Sequence, residues 1–553
     1  MHACKNLCRC LPLFVTMRAS SRVVRNPRGF LAMTSRCFRW TGLVLGLALA
    51  ASVPATAQFA ARPQTFAYET AATDPPPVKT QHSITVGGKT LSYTAEVGKI
   101  AVPDASGKTM GHMFYVAYIL DNPDPSHPRP VTFSYNGGPG SDSVYVHMGG
   151  FGPRRVVLQD NGNNPPPPYT IVDNADTWLD SSDLVFIDAI GTGYSRATSH
   201  KNLVYASSAQ GDLECFAQFV RLWLYDNNRL NSPLILAGES YGTFRSAGLA
   251  DVLWQHHIPV SGIVLLSSVL NMATLRPSYS NDRPYWLALP TQTAIAWHFH
   301  KLAPQYQKMS LPDAVKASEE WAQTKYEHYL DLGDALQGAQ RQQALQEMSG
   351  FTGLSPQFLD SWNLRVSTAL FDASLLRGQR ETIGRYDGTQ IGTSQTPGQT
   401  RPDYDASDLL GVPYLHEFVS YMENELDYKT TLEYGDRGMG GAGIERWNYN
   451  ISSGGFGNFF GGAGDDVSQD LERVFAQNPS MRLMLCEGYF DQATPMLEAT
   501  YSMRHLFITP AEQSHISIEH YLSGHMIYAH KDSREKLHRD FGAFVKTLPG
   551  VAQ

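Results

Sequence analysis

Leu234-Ile235-Leu236-Ala237-Gly238-Glu239-Ser240-Tyr241-Gly242 is an apolar run ending in Gly-x-Ser-x-Gly. The run predicts a strand, and residues 243–254 beyond it predict a helix. A serine at such a corner sits on a sharp, strained turn, and only glycine beside it lets neighbouring backbone pass so closely. The helix starting there aims its first N–H groups at negative charge developing nearby. In a chain with 47 glycines the bare motif means little; the strand before it and the helix after it give it meaning.

Outward from that corner, apolar runs recur at 113–120, 131–135, 184–187, 263–266 and 482–486, each bounded by turn residues. Such runs are expected of buried strands in a sheet covered on both faces. Residues 83–86 and 91–97, joined by Gly87-Gly88, predict a β-hairpin. Leu213, Phe216, Ala217, Val220 and Leu224 mark one face of a helix. Strands alternating with helices predict an α/β fold with a mainly parallel sheet and helices on both faces. Between 271 and 479 the alternation stops. Helical stretches near 291–302, 314–332 and 339–348 precede a glycine-rich region, 435–464, so this interval predicts a helical cap insertion ending in a loop. The expected organisation is a leader over 1–57, an extended arm over 58–80, core over 81–270, the cap over 271–479, and core again over 480–553.

The 553 residues are 42% hydrophobic, with no charge excess that would suggest disorder. Residues 1–57 hold eight basic side chains and no acidic one. There Arg36 and Arg39 precede the apolar run 42–51, and Ala55-Thr56-Ala57 offers small residues for cleavage. That order predicts a signal peptide removed after Ala57, with Met33 as a better-proportioned start and export to the periplasm or beyond. The run is too short to anchor the chain stably in a bilayer. The whole chain carries −8, and removing eight positive charges leaves the rest near −16, which argues against nucleic acid as a partner. Only Cys215 and Cys486 lie beyond the leader; buried free thiols are the favoured reading, with one disulfide as the alternative.

A nucleophilic serine needs a base, and the base an orienting acid. In the α/β-hydrolase pattern these follow in the order serine, acid, histidine, each on a loop after a strand. The run 482–486 leads into Glu487-Gly488-Tyr489-Phe490-Asp491, and a last strand over 516–521 leads into Ser523-Gly524-His525-Met526. The expected triad is Ser240, Asp491 and His525, with His530 as the nearest competitor among 18 histidines. His515-Ile516-Ser517-Ile518-Glu519-His520 imitates a zinc motif, but its spacing is wrong and its alternation is that of a strand, so no metal is expected.

Phe133-Ser134-Tyr135-Asn136-Gly137-Gly138-Pro139-Gly140-Ser141 resembles the Asn-Gly-Gly-Pro-Gly signature of the serine carboxypeptidases, peptidase S10 type. Gly152-Pro153, the block 174–195 (Asn174, Trp178, Phe186, Asp188, Gly191, Gly193, Ser195), Gly238-Glu239-Ser240-Tyr241, Gly488-x-x-Asp491 and Gly524-His525-Met526 follow in that family's order. The resemblance covers roughly 80–270 and 480–553. It leaves out the insertion, whose aromatic-rich start (Tyr285-Trp286, Trp297-His298) looks like bacterial relatives.

The resemblance implies an α/β-hydrolase that releases C-terminal residues from peptides through an acyl-enzyme, without a cofactor. It implies an oxyanion hole from the backbone N–H groups of Gly138 and Tyr241. It also implies that Asn136 and Glu239 hold the substrate's terminal carboxylate, with Glu239 protonated, because two touching carboxylates cannot both be ionised. Activity at acidic pH follows. The chain departs from the pattern at Gly150, where the family carries a second glutamate, and at Ser141, where it carries a cysteine; its disulfide framework is absent. Arg154 and Arg155 are either ordinary structural charges, the preferred reading, or substitutes that pair with the substrate carboxylate. An esterase or acyltransferase on the same scaffold is the alternative function; a non-catalytic binding module conflicts with an intact triad. Oligomeric state and side-chain preference are open from sequence.

Overall fold

Gly87 and Gly88, both at positive φ (55° and 80°), turn the chain between β1 (Val78–Val86) and β2 (Lys89–Pro103), which pair antiparallel as the Gly-Gly signal predicts. The structure is a computed structural model that describes residues 68–71, 73–121, 128–435, 447–449 and 465–551, all within the unit Ala61–Gln553. The expected leader and most of the glycine-rich region 435–464 lie outside the described residues.

Seven further strands complete the main path of the sheet: β3 (Thr109–Leu120), β4 (Val131–Tyr135), β5 (Asp183–Ile187), β6 (Leu234–Glu239), β7 (Gly262–Leu266), β8 (Arg482–Gly488) and β9 (Ile516–Tyr521). Their order is β1-β2-β3-β5-β4-β6-β7-β8-β9, with Arg196–Ala197 added beside β3. Every pair from β5 to β9 is parallel. This is the α/β-hydrolase architecture, and each apolar run read as a strand is one.

The continuous apolar runs are explained by burial on both faces. Val131, Phe133 and Tyr135 of β4 join a cluster with α1 (Ala209–Asp226) and α2 (Tyr241–Gln255). Ile235 and Ala237 of β6 join a second cluster, which includes Leu537 and Phe541 of α3 (Lys531–Val545). Phe133 meets Phe219 and Trp223 edge-on in the first cluster. Phe133→Ala is therefore expected to lower the unfolding free energy by about 3–5 kcal/mol, read from urea denaturation. Cys215 and Cys486 are buried, free, and in opposite clusters, so the alternative of a disulfide is not realised.

Within the insertion, helices Arg283–His298, Leu311–Trp321 and Gly338–Thr352 build a third apolar cluster around Trp286, Trp321, Tyr326 and Phe351. The first begins eight residues before the expected 291 because Pro284, in its first turn, and Pro290, inside it, read as breakers. A small hairpin, Glu381–Ile383 with Ile391–Thr393, has strands too short to show alternation. Parts of the interval 271–479 also pack into the core of the sheet. Gly411–Asn424 sends Tyr414, Phe418, Tyr421 and Met422 into the second core cluster, and Leu471, Val474 and Phe475 of Ser468–Gln477 enter the first. An amphipathic stripe tells that a helix is covered, not which surface covers it. No helix among the described residues is long and apolar enough to cross a membrane.

Candidate active site

Ser240 occupies the corner between β6 and α2 with φ 60° and ψ −129°, a backbone that side chains rarely adopt. The corner is possible because position 238 is glycine: a Cβ there would lie 2.0 Å from the Gly242 carbonyl oxygen. The Asn136 loop comes equally close. A Cβ on Gly137 would stand 2.4 Å from the Tyr241 nitrogen. Tyr241 is the first residue of α2, so its N–H is among those a helix leaves without an internal acceptor. Gly138 follows at φ 99°. Asn136, Gly138, Glu239, Ser240 and His525 line one pocket. Asp491 lies behind it, fully buried, and Tyr241 approaches through its backbone.

Asp491 follows β8 and His525 follows β9, two neighbouring parallel strands, which is why loops 34 residues apart in sequence meet. Asp491 Oδ2 lies 2.7 Å from His525 Nδ1. Its Oδ1 accepts the N–H groups of Ala493 (2.7 Å) and Thr494 (3.0 Å), and its Oδ2 also accepts the Thr494 hydroxyl (2.7 Å). These donors fix the orientation of the carboxylate. Burial opposes charge on His525, but the attraction of Asp491 and its hydrogen bond outweigh burial, so the imidazole's pKa is raised above its ordinary value.

Asn136 Nδ2 donates to Glu239 Oε1 at 2.7 Å, and Asn136 Oδ1 accepts the Val146 N–H at 3.0 Å. The amide's orientation is thereby set from both ends. Burial, with a lesser push from Asp491, raises Glu239 to about 7, against the opposing pull of His525.

Sequence reasoning missed two features. Thr494 belongs to an Asp-x-x-Thr turn, a local signal that was available. The other came from the insertion and carried no signal. After Glu381–Ile383, the turn around Arg385–Gly388 binds both loops: Gln492 N–H donates to the Arg385 carbonyl (3.0 Å), Gly388 N–H to Phe490 (2.9 Å), and His525 N–H to Tyr386 (2.6 Å). Arg385 and Tyr386 line the pocket, and the Tyr386 ring lies 5.2 Å from the imidazole. The competitor His530 is held outside, with Nε2 2.6 Å from Asp387 Oδ2. Arg154 is committed to Asp173 (2.6 Å) and Glu425 (2.8 Å), and Arg155 lies near Arg534, Asp176 and Tyr414. Neither lines the pocket, so they do not substitute for the missing glutamate.

Residues 90–352 match the family model described as serine carboxypeptidase. The chain is 25% identical over 179 residues to serine carboxypeptidase-like 44 of Arabidopsis thaliana, a stretch covering 31% of this chain and 33% of that protein, so it spans a third of the curated relative's length. Among solved structures it is similar to Kex1Δp, a prohormone-processing carboxypeptidase from Saccharomyces cerevisiae. That match has a TM-score of 0.50 at 14% identity and covers 82% of this chain and 91% of the other; at that identity the likeness is one of fold. The matched segment contains the Asn136 loop and the Ser240 corner; the His525 loop lines the same pocket, and Asp491 meets His525 from behind it. Over residues 90–352 the chain is similar to the serine carboxypeptidase family.

Proposed function

We propose that this chain is a serine-type carboxypeptidase that releases C-terminal residues from peptides. Ser240 Oγ attacks the last peptide carbonyl while its proton passes to His525, which Asp491 holds in the accepting tautomer. The tetrahedral oxyanion is met by the N–H groups of Gly138 and Tyr241; in acyl-transfer enzymes one such donor is worth about 3 kcal/mol. His525 then returns the proton to the leaving amine as the C–N bond breaks. Water, deprotonated by His525, hydrolyses the acyl-enzyme and frees Ser240. No step needs a metal or a cofactor.

The observation that carries the exopeptidase reading is the buried Asn136–Glu239 pair on the wall of the Ser240 pocket. A protonated Glu239 and an amide can both donate to a terminal carboxylate, whereas an ester or an internal peptide bond offers only the weaker, uncharged acceptor of a carbonyl there. The test is an N-blocked dipeptide against its C-terminal amide. Release of the free C-terminal amino acid from the acid alone supports the reading; equal cleavage of the amide, or turnover of esters only, overturns it in favour of the esterase alternative.

The protonation state supplies a prediction. Glu239 is raised, so its proton is present below about pH 7 and lost above it. Peptide kcat/KM is expected to fall as pH rises through about 7, chiefly through KM, while ester kcat/KM has no such limb. A peptide optimum in the alkaline range contradicts this. The reading extends to export: the acid-free, basic stretch 1–57 with its apolar run supports a signal peptide and action in the periplasm or outside the cell.

A further inference from the structure

Gly149 and Gly150 lie beneath the ring of Tyr528. A Cβ at 149 would meet Tyr528 Cε2 at 2.3 Å, and one at 150 would meet Tyr528 Cβ at 2.5 Å, so side chains there and this ring exclude one another. Tyr528 is completely buried in the short turn Ile527–Ala529 just past His525, with Phe151 edge-on at 5.7 Å. It does not line the pocket but lies behind it, its hydroxyl facing the Glu239 carboxyl and the Asn136 amide. One oxygen of Glu239 is taken by Asn136; the other, Oε2, is buried and closes no hydrogen bond of normal geometry, nor does the Tyr528 hydroxyl. Two such groups side by side each cost free energy unless they serve one another or a ligand.

We propose that Tyr528 is the positioning residue of the carboxylate site, its phenol steering Glu239 from behind in the space freed by glycine at 150. This rests on the carboxypeptidase reading above. The substitution changes the chemistry of the site. A second carboxyl at this place would share a proton with Glu239 and repel its ionised form. A phenol is a neutral donor, and burial keeps it protonated far into the alkaline range. It therefore steadies Glu239 geometrically while easing its ionisation. The other groups facing Glu239 are His525, Asp491 and Asn136, with Tyr414 supplied by the insertion.

Tyr528→Phe keeps the ring and removes only the hydroxyl. The peptide-to-ester ratio of kcat/KM is expected to drop about tenfold through peptide KM, the worth of one hydrogen bond near a charged group. The alkaline limb of peptide hydrolysis moves to higher pH. Tyr528→3-fluorotyrosine, a near-isostere with a stronger donor, moves it to lower pH. The carboxyl band of Glu239 in infrared difference spectra, assigned with Glu239→Gln, reads the same titration without turnover. If the parent fails to cleave peptides but the two variants move this band in opposite directions, the carboxypeptidase reading falls and the positioning role stands. A ratio and a band that match the parent in both variants, or limbs that move the same way, overturn the proposal.

Discussion

Ser240→Ala is expected to reduce kcat for an N-blocked dipeptide by about 10⁵–10⁶-fold, the scale seen when a serine protease loses its nucleophile. KM is expected to stay within about threefold, because Asn136 and Glu239 are untouched and alanine tolerates the corner no worse than serine does. The positive φ at 240 is set by the strand–helix junction and by the approach of the Gly238 and Gly242 backbones, not by the serine hydroxyl. The double variant Ser240→Ala/His525→Ala should be no slower than Ser240→Ala alone, since the two act as one unit. Chromatographic measurement of the released amino acid checks both; additive losses contradict a shared role.

Asp491→Asn should cost about 10⁴-fold in kcat with little change in stability. The Oδ1 position must still accept two backbone N–H groups, from Ala493 and Thr494. That leaves the asparagine NH₂ where Oδ2 was, facing the Thr494 hydroxyl and His525 Nδ1. Two donors cannot face each other, so the imidazole moves its proton to Nε2 and can no longer receive one from Ser240. The imidazole ¹⁵N shifts report the tautomer directly, and kcat reports its consequence. A variant with normal turnover and an unchanged tautomer contradicts the assignment of Asp491.

The legible parts of this protein were those in which chemistry and local geometry coincide. Gly238 is glycine because the Ser240 corner leaves no space for a Cβ, and a Cβ on Gly242 would crowd the Tyr135 carbonyl at 3.0 Å, so the constraint is written where it acts. The buried strands were legible for a similar reason: a run such as 131–135 must be apolar throughout when both of its faces are covered. The turn holding His525 and the Asp491 loop was not legible, because its bonds come from backbone atoms of Arg385, Tyr386 and Gly388, which any sequence supplies. Nor was the role of Gly150. Its meaning is steric and lies 378 positions further on, under the ring of Tyr528. Helix Ser468–Gln477 shows the same limit, since an amphipathic stripe says only that something covers it, not that Leu471, Val474 and Phe475 meet the core of the sheet.

Everything turns on whether one hydroxyl is activated by one imidazole. The most direct measurement is labelling with a serine-directed phosphonate, located by peptide mass mapping and timed in the parent and in His525→Ala. The account predicts one equivalent of label, on Ser240, formed at least about a thousandfold more slowly without His525. Label on another residue, or a rate on Ser240 that ignores the loss of His525, contradicts it.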